Sequence, residues 1–166
     1  MPEEIFDVVD EHDCIIGQAP RSVVHAQKLR HRAVHIFVFN SRGELLLQKR
    51  SALKDEYPLC YTSSASGHLS AGEDYETAAP RELAEELGLT CPLEWLAKFP
   101  AGPDTSQEHT ALYQTITDQP PRIDPQEIEA VSFHALDEIA AMRDREPELF
   151  SPCFVTLFEW YVARRR

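Results

Sequence analysis

The sequence predicts an α/β protein: a mixed β-sheet with helices on both faces, an α/β/α sandwich formed by residues 1–166 as one domain. Three observations carry this prediction. Strand-length apolar stretches interleave with helix-length segments at irregular spacing, without internal repeats or low-complexity tracts. Residues 31–50 are apolar almost throughout on either side of one turn, the pattern of strands covered on both faces. The chain has 166 residues, 43% hydrophobic and 27% charged, enough to build a core.

The elements follow in order. Residues 5–9 and 14–16 are apolar runs around a polar 10–13 and read as a hairpin. Residues 20–29 fit a short helix with Pro20 near its first turn. Residues 31–39 hold Val34, Ile36, Phe37, Val38 and Phe39. With the turn 40–43 and the run 44–50 they make the clearest hairpin in the chain. A polar connection at 51–58 leads to a strand at 60–65. Residues 74–87 read as a helix, with Asp74 as N-cap and Gly88 just past the end. Strands follow at 93–100 and 111–117, a proline-containing loop at 118–124 and a last strand at 130–134. Helices at 136–143 and 152–164 close the chain, the second with an apolar face from Phe154, Leu157, Phe158 and Tyr161.

Composition excludes several classes. The formal net charge of −12 disfavours a general nucleic-acid binder, which carries a basic face. A chain so acidic must recruit cations to handle phosphates. No apolar run approaches the roughly 20 residues that span a bilayer. The acidic first ten residues do not form a secretory signal, so a cytoplasmic location is expected. Cys14, Cys60, Cys91 and Cys153 form no CxxC pair and read as reduced and structural. Arg164, Arg165 and Arg166 read as a solvated helix end.

The chemistry concentrates in residues 67–89, GHLSAGEDYETAAPRELAEELGL. At about 100° per residue, Glu82, Glu85 and Glu86 share one arc of the helix, with Leu83 and Leu87 on the neighbouring arc. Three like charges on one turn repel unless a cation or solvent compensates them. Hard divalent ions take such oxygen ligands. Gly67 and Gly72 allow backbone to approach a metal or phosphate. Arg81 is placed to be held by Glu85 four residues on and by Glu73 across the loop, a structural role for Arg81 and Glu73. Pro80 is expected to kink the helix, at a cost of roughly 3 kcal/mol in an ordinary interior position.

At every specified position this stretch resembles the Nudix box, the loop-helix-loop signature of hydrolases of nucleoside diphosphates linked to another group. The resemblance implies a Nudix fold over nearly the whole chain. It also implies Mg²⁺ or Mn²⁺ held by Glu82, Glu85 and Glu86, with the Gly67 carbonyl as a further ligand. A metal so placed would neutralise a diphosphate and activate water for in-line attack. The carboxylate that orients or deprotonates the water varies within the family. Glu85 in the box and Glu127 before the last strand are the candidates.

One branch resembles this chain more closely. His25, the run His31-Arg32-Ala33-Val34-His35, Gln48-Lys49-Arg50, Ser66-Gly67-His68 and Phe150-Ser151-Pro152 look like type I isopentenyl-diphosphate isomerase and similar hydrolases. The isomerase requires a cysteine where this chain has Ser66, and a second glutamate where Glu108-His109-Thr110 ends in threonine. Both halves of its acid-base pair are therefore missing, while the box is complete. The matching positions His25, His31, His68 and Glu108 keep metal-ligand side chains and form a second candidate site suited to Zn or Mn. His12, His35, His109 and His134 read as structural or surface groups.

The expected activity is Mg²⁺-dependent hydrolysis of a small organic diphosphate, a nucleoside diphosphate derivative. The alternatives are isoprenoid-diphosphate isomerisation and a non-catalytic nucleotide-binding module. Arg50, with Lys49 beside it, is the candidate phosphate contact. Substrate-selecting segments are expected at 51–61 and 101–108, and nothing in them names a base, sugar or lipid. No feature of the sequence fixes the oligomeric state.

Overall fold

The computed structural model describes residues 3–165; Met1, Pro2 and Arg166, the last residue of the C-terminal arginine run, lie outside it. An N-terminal ribbon pairs β1 (Ile5–Val9) antiparallel with β2 (Ile15–Pro20). It packs on α1 (Arg21–Ala26) through a small cluster of Phe6, Val8 and Val24. The predicted helix 20–29 is shorter than expected. Pro20 closes β2, and Lys28 adopts a left-handed φ of 53° that no helix accommodates.

The main sheet is built on β3 (His31–Phe39), which pairs in parallel along its whole length with β8 (Glu108–Ile116). β7 (Glu94–Phe99) lies antiparallel on the far side of β8. On its other edge β3 meets β4 (Leu45–Arg50) only at the pair Phe39–Leu45 beside the turn. The two strands then part. β4 pairs instead with β9 (Ile128–His134) and, near its end, with β5 (Tyr61–Thr62). The freed half of β3 pairs with β6 (Ala65–His68).

The expected single strand at 60–65 is thus two short strands with Ser63 and Ser64 between them. The serines explain the break. Ser64 Oγ donates to the Leu46 carbonyl at 2.6 Å and accepts from the Val38 amide at 2.9 Å. One side chain therefore satisfies two backbone groups that the parting strands leave open.

Period-2 alternation along β3 and β4 feeds two cores. Val34, Ile36, Val38 and Leu46 pack against Ala78, Ala79, Leu83 and Leu87 of α2 (Tyr75–Leu87). Phe37, Phe39, Leu45 and Leu47 pack on the opposite face. There they meet Ile139 of α3 (Leu136–Arg145) and Phe154, Leu157, Phe158 and Tyr161 of α4 (Pro152–Arg164). Each buried Val, Leu, Ile or Phe among them contributes about 1.5–3 kcal/mol of transfer free energy. The result is the expected mixed sheet with helices on both faces.

The caps of α2 match the sequence reading. Asp74 accepts from the Thr77 amide at 2.8 Å, and Gly88 ends the helix at φ 64°. Pro80 does not break α2. The carbonyl that loses its helical donor is that of Glu76, an exposed residue of the first turn. Other bounds shift outward: β8 begins at Glu108, β9 at Ile128, and α3 runs to Arg145.

Candidate active site

A polar cleft of about 630 Å³ is bordered by β3, β4, β6, α2 and the start of α4. One wall belongs to α2. Glu82 and Glu86 are buried on it, and Glu85 stands more exposed at its rim. Gly67 lies so close that a Cβ built there would meet the Glu82 carboxylate at 2.1 Å. Only a glycine lets this carboxylate sit against bare backbone.

Arg81 braces the wall. It grips both Glu73 oxygens, at 2.7 and 2.8 Å, and reaches Glu82 at 2.9 Å, Glu85 at 3.2 Å and the His68 carbonyl at 3.2 Å. Glu73, across the loop, is thus the main partner and Glu85 a secondary one. The Glu73 hydrogen bonds push the Arg81 pKa up, and Arg81 in turn holds Glu73 below the ordinary carboxylate range. Glu86 accepts from the Ser66 amide at 2.9 Å and from Gln48 Nε2 at 3.2 Å.

Electrostatics separate this wall from an ordinary acidic helix face. Burial, with the Glu86 charge adding, pushes the Glu82 pKa up to about 8 despite Arg81. Burial pushes Glu86 up to about 7, although its bonds to Ser66 and Gln48 oppose the rise. Two carboxylates are thus kept out of water with too little positive charge beside them. A hard cation compensates such a pair, so the residues fit Mg²⁺ or Mn²⁺.

Cationic side chains share the cleft with these carboxylates. Arg50 and Lys54 line the cleft, as does Arg21 from α1. Lys54 is paired with Glu127, and Arg21 with Asp55 at 3.1 Å. Lys49, expected to act beside Arg50, does not line the cleft. Its ammonium lies over the Tyr61 ring at 5.9 Å, because successive residues of β4 point to opposite faces. The same alternation puts Gln48 on the Arg50 side, a signal present in the sequence but not used.

A second group meets behind His68. The rings of His25, His31 and His68 lie 5.1–5.6 Å apart, and their ligand nitrogens all fall within 4.8 Å of one another. Glu108 Oε2 is 2.7 Å from His68 Nε2 and 3.5 Å from His31 Nε2. His31 Nε2 is buried without a hydrogen-bond partner. Burial alone would raise Glu108, but His68 and His31 outweigh it and hold the carboxyl well below its usual range. An orphaned imidazole nitrogen beside two further imidazoles and a carboxylate suits a borderline transition ion.

Gly67, Glu82, Glu85, Glu86, Glu127, Arg50, His68 and Glu108 are therefore gathered on one cleft, with Glu73 and Arg81 bracing it and His25 and His31 behind it. Lys54 and Arg21 also line the cleft without having been singled out, and Cys153, which the sequence reading left as reduced and structural, lines it too. So does His35, which the sequence reading left as structural or surface.

A carboxylate-bearing loop-helix-loop set against the parted strands of an α/β/α sandwich defines a Nudix-type domain. The NUDIX domain model matches residues 29–152, and the chain belongs to the Nudix family. It is 34% identical over 162 residues to an isopentenyl-diphosphate Delta-isomerase of Serratia proteamaculans, covering 95% of this chain and 90% of the relative. It is equally similar, at 34% over 162 residues, to an uncharacterized Nudix hydrolase of Yersinia pestis, covering 97% and 87%. This chain thus falls in the Nudix branch similar to isopentenyl-diphosphate isomerase. Two further curated relatives, with higher local identity, are matched over only 55% and 52% of their length, so there the chain spans about half of each. The crystal structure of DR0079 from Deinococcus radiodurans superposes with a TM-score of 0.83 at 28% identity, covering 94% of this chain and 98% of that one.

Proposed function

We propose that this protein is a diphosphohydrolase that cleaves the phosphoanhydride of a small organic diphosphate, a nucleoside diphosphate derivative, with Mg²⁺ or Mn²⁺. The observation that carries this reading is the presence of two buried, undercompensated carboxylates, Glu82 and Glu86, in the same cleft as Arg50, Lys54 and Arg21. Such a cleft offers oxygen ligands to a cation and guanidinium and ammonium donors to phosphate oxygens.

Glu82, Glu85, Glu86 and the Gly67 carbonyl would hold the metal, which when bound supplies Lewis-acid stabilisation and a water of lowered pKa. The chain's own residues prepare the rest. Ser66 and Gln48 fix Glu86, and Arg81 fixes Glu82 and the rim carboxylate Glu85. Arg50 holds phosphate as a planar donor fork. Glu85 and Glu127 are the groups that orient the attacking water and take its proton, each beside a cationic partner, Arg81 and Lys54. His25, His31, His68 and Glu108 form a separate transition-metal site. We read residues 1–166 as one Nudix unit working in the cytoplasm.

The test is a panel of nucleoside di- and triphosphates, dinucleotides and nucleotide sugars with Mg²⁺, read by phosphate or nucleotide release. Release by the wild type that is lost in Glu86→Gln is the expected result. No release across the panel would favour a binding module. The names of some relatives raise isomerisation, against which stand Ser66 and Thr110. Isotope exchange into isopentenyl diphosphate at an enzyme-like rate would overturn the hydrolase reading.

A further inference from the structure

Where α4 begins, the cleft holds a second donor set, of which the box uses nothing and the histidine group shares only Glu108. His35 on β3, Glu108 on β8 and Cys153 in the first turn of α4 are all buried, and all three line the cleft. One ligand atom from each lies within 4.8 Å of the other two. His35 Nδ1 is 2.7 Å from Ser63 Oγ. In the tautomer that donates this bond, the Nε2 lone pair faces Cys153 Sγ, 3.5 Å away.

The geometry points to a thiolate-containing transition-metal site formed by His35 Nε2, Cys153 Sγ and a carboxylate oxygen of Glu108, with an open position toward the cleft. Imidazole, thiolate and carboxylate together suit a divalent ion of borderline softness such as Zn²⁺ or Co²⁺, and suit Mg²⁺ poorly. Three protein ligands with a free position is the arrangement of zinc sites that take water or substrate. The Ser63 contact plays the part of the partner that fixes a ligating imidazole in the right tautomer. Glu108 has two oxygens, so one can face His31 and His68 while the other faces this floor site. Binding breaks the S–H bond, forms a metal–sulfur bond and passes the proton to solvent.

The site is independent of the diphosphohydrolase reading, since it shares no residue with Glu82, Glu85 or Glu86. Titration of the metal-free full-length protein with Co²⁺, followed by absorption, tests it directly. A thiolate-to-cobalt charge-transfer band is expected in the wild type, absent in Cys153→Ser and in Cys153→Ala, and lost or strongly weakened in His35→Ala. The band should persist in the triple variant Cys14→Ser, Cys60→Ser, Cys91→Ser, which removes every other thiol, and in His68→Ala. A wild type without the band, or a band that survives loss of Cys153, would overturn the site. A band that vanishes in His68→Ala would mean one merged site and would overturn the separate floor site.

Discussion

The carboxylate wall and the histidine group face the same cleft from adjacent residues of β6, Gly67 and His68, yet they are built in opposite ways. The wall is local. Glu82, Glu85 and Glu86 lie within five residues of one helix, and Arg81 braces the first two from the same turn. The histidine group is assembled from α1, β3, β6 and β8, so no segment of sequence contains it. Their charge states also differ. Glu82 and Glu86 are pushed toward protonation by burial, whereas Glu108 is held ionised by His68 and His31. The wall has too little positive charge for its carboxylates and suits a hard cation. The histidine group has its carboxylate compensated and offers nitrogen donors to a softer one.

The largest test of this contrast is Glu86→Gln. The amide keeps an acceptor for Ser66 but removes the charge, and divalent-dependent release should fall roughly 100-fold or more in steady-state assays. A loss under about threefold would mean that the wall is not the metal site. Gly67→Ala comes next. The added methyl must displace the Glu82 carboxylate. Since a misplacement of about 1 Å costs on the order of 100-fold, a loss of roughly 10- to 100-fold in kcat is expected, with unchanged circular dichroism.

Metal-free stability should depend on pH in a direction set by the wall. Glu82 and Glu86 have folded pKa values raised to about 8 and about 7, so in this range the folded state binds more protons than the unfolded one. Stability therefore falls as pH rises toward 8. Buried His35, lowered to about 4, acts in the opposite direction, but only below its ordinary value of 6.5. Between pH 6.5 and 8 the Tm of the metal-free protein should drop by roughly 5 °C, and saturating Mg²⁺ should remove most of that slope. A flat profile without metal would contradict the burial argument. The smallest effect is expected from His25→Ala. It should change Mg²⁺-dependent release by no more than about threefold while weakening Zn²⁺ binding at the histidine group by roughly 10-fold or more, measured by competition titration in a Cys153→Ala background that lacks the thiolate site. Equal damage to both readouts would mean that the two regions work as one.

How far the sequence carried depends on how local each feature is. Asp74, the apolar face of α2 and Gly88 fix a helix from within one stretch, and that helix presents its glutamates wherever it lies. The strand predicted at 60–65 failed for a non-local reason, the use of Ser64 to bridge Val38 and Leu46 on parting strands. Arg50 lines the cleft and Lys49 does not, because which face of β4 meets the cleft depends on β9 and β5 beside it. His35 and Cys153 are 118 residues apart in sequence, and only the packing of α4 on the sheet makes them neighbours.

By itself the sequence determined the box: the cap, the spacing of three carboxylates at i, i+3 and i+4, and the glycine that leaves room for them. These follow from helix geometry and the backbone freedom of one residue, which act over a few positions. Tertiary structure alone decided that Glu82 and Glu86 are buried while Glu85 is not, and that His31 Nε2 is left without a partner. It also decided that His35 and Cys153 meet at the floor of the cleft. Burial and charge compensation are sums over every element packed around a group, and no single segment carries those sums.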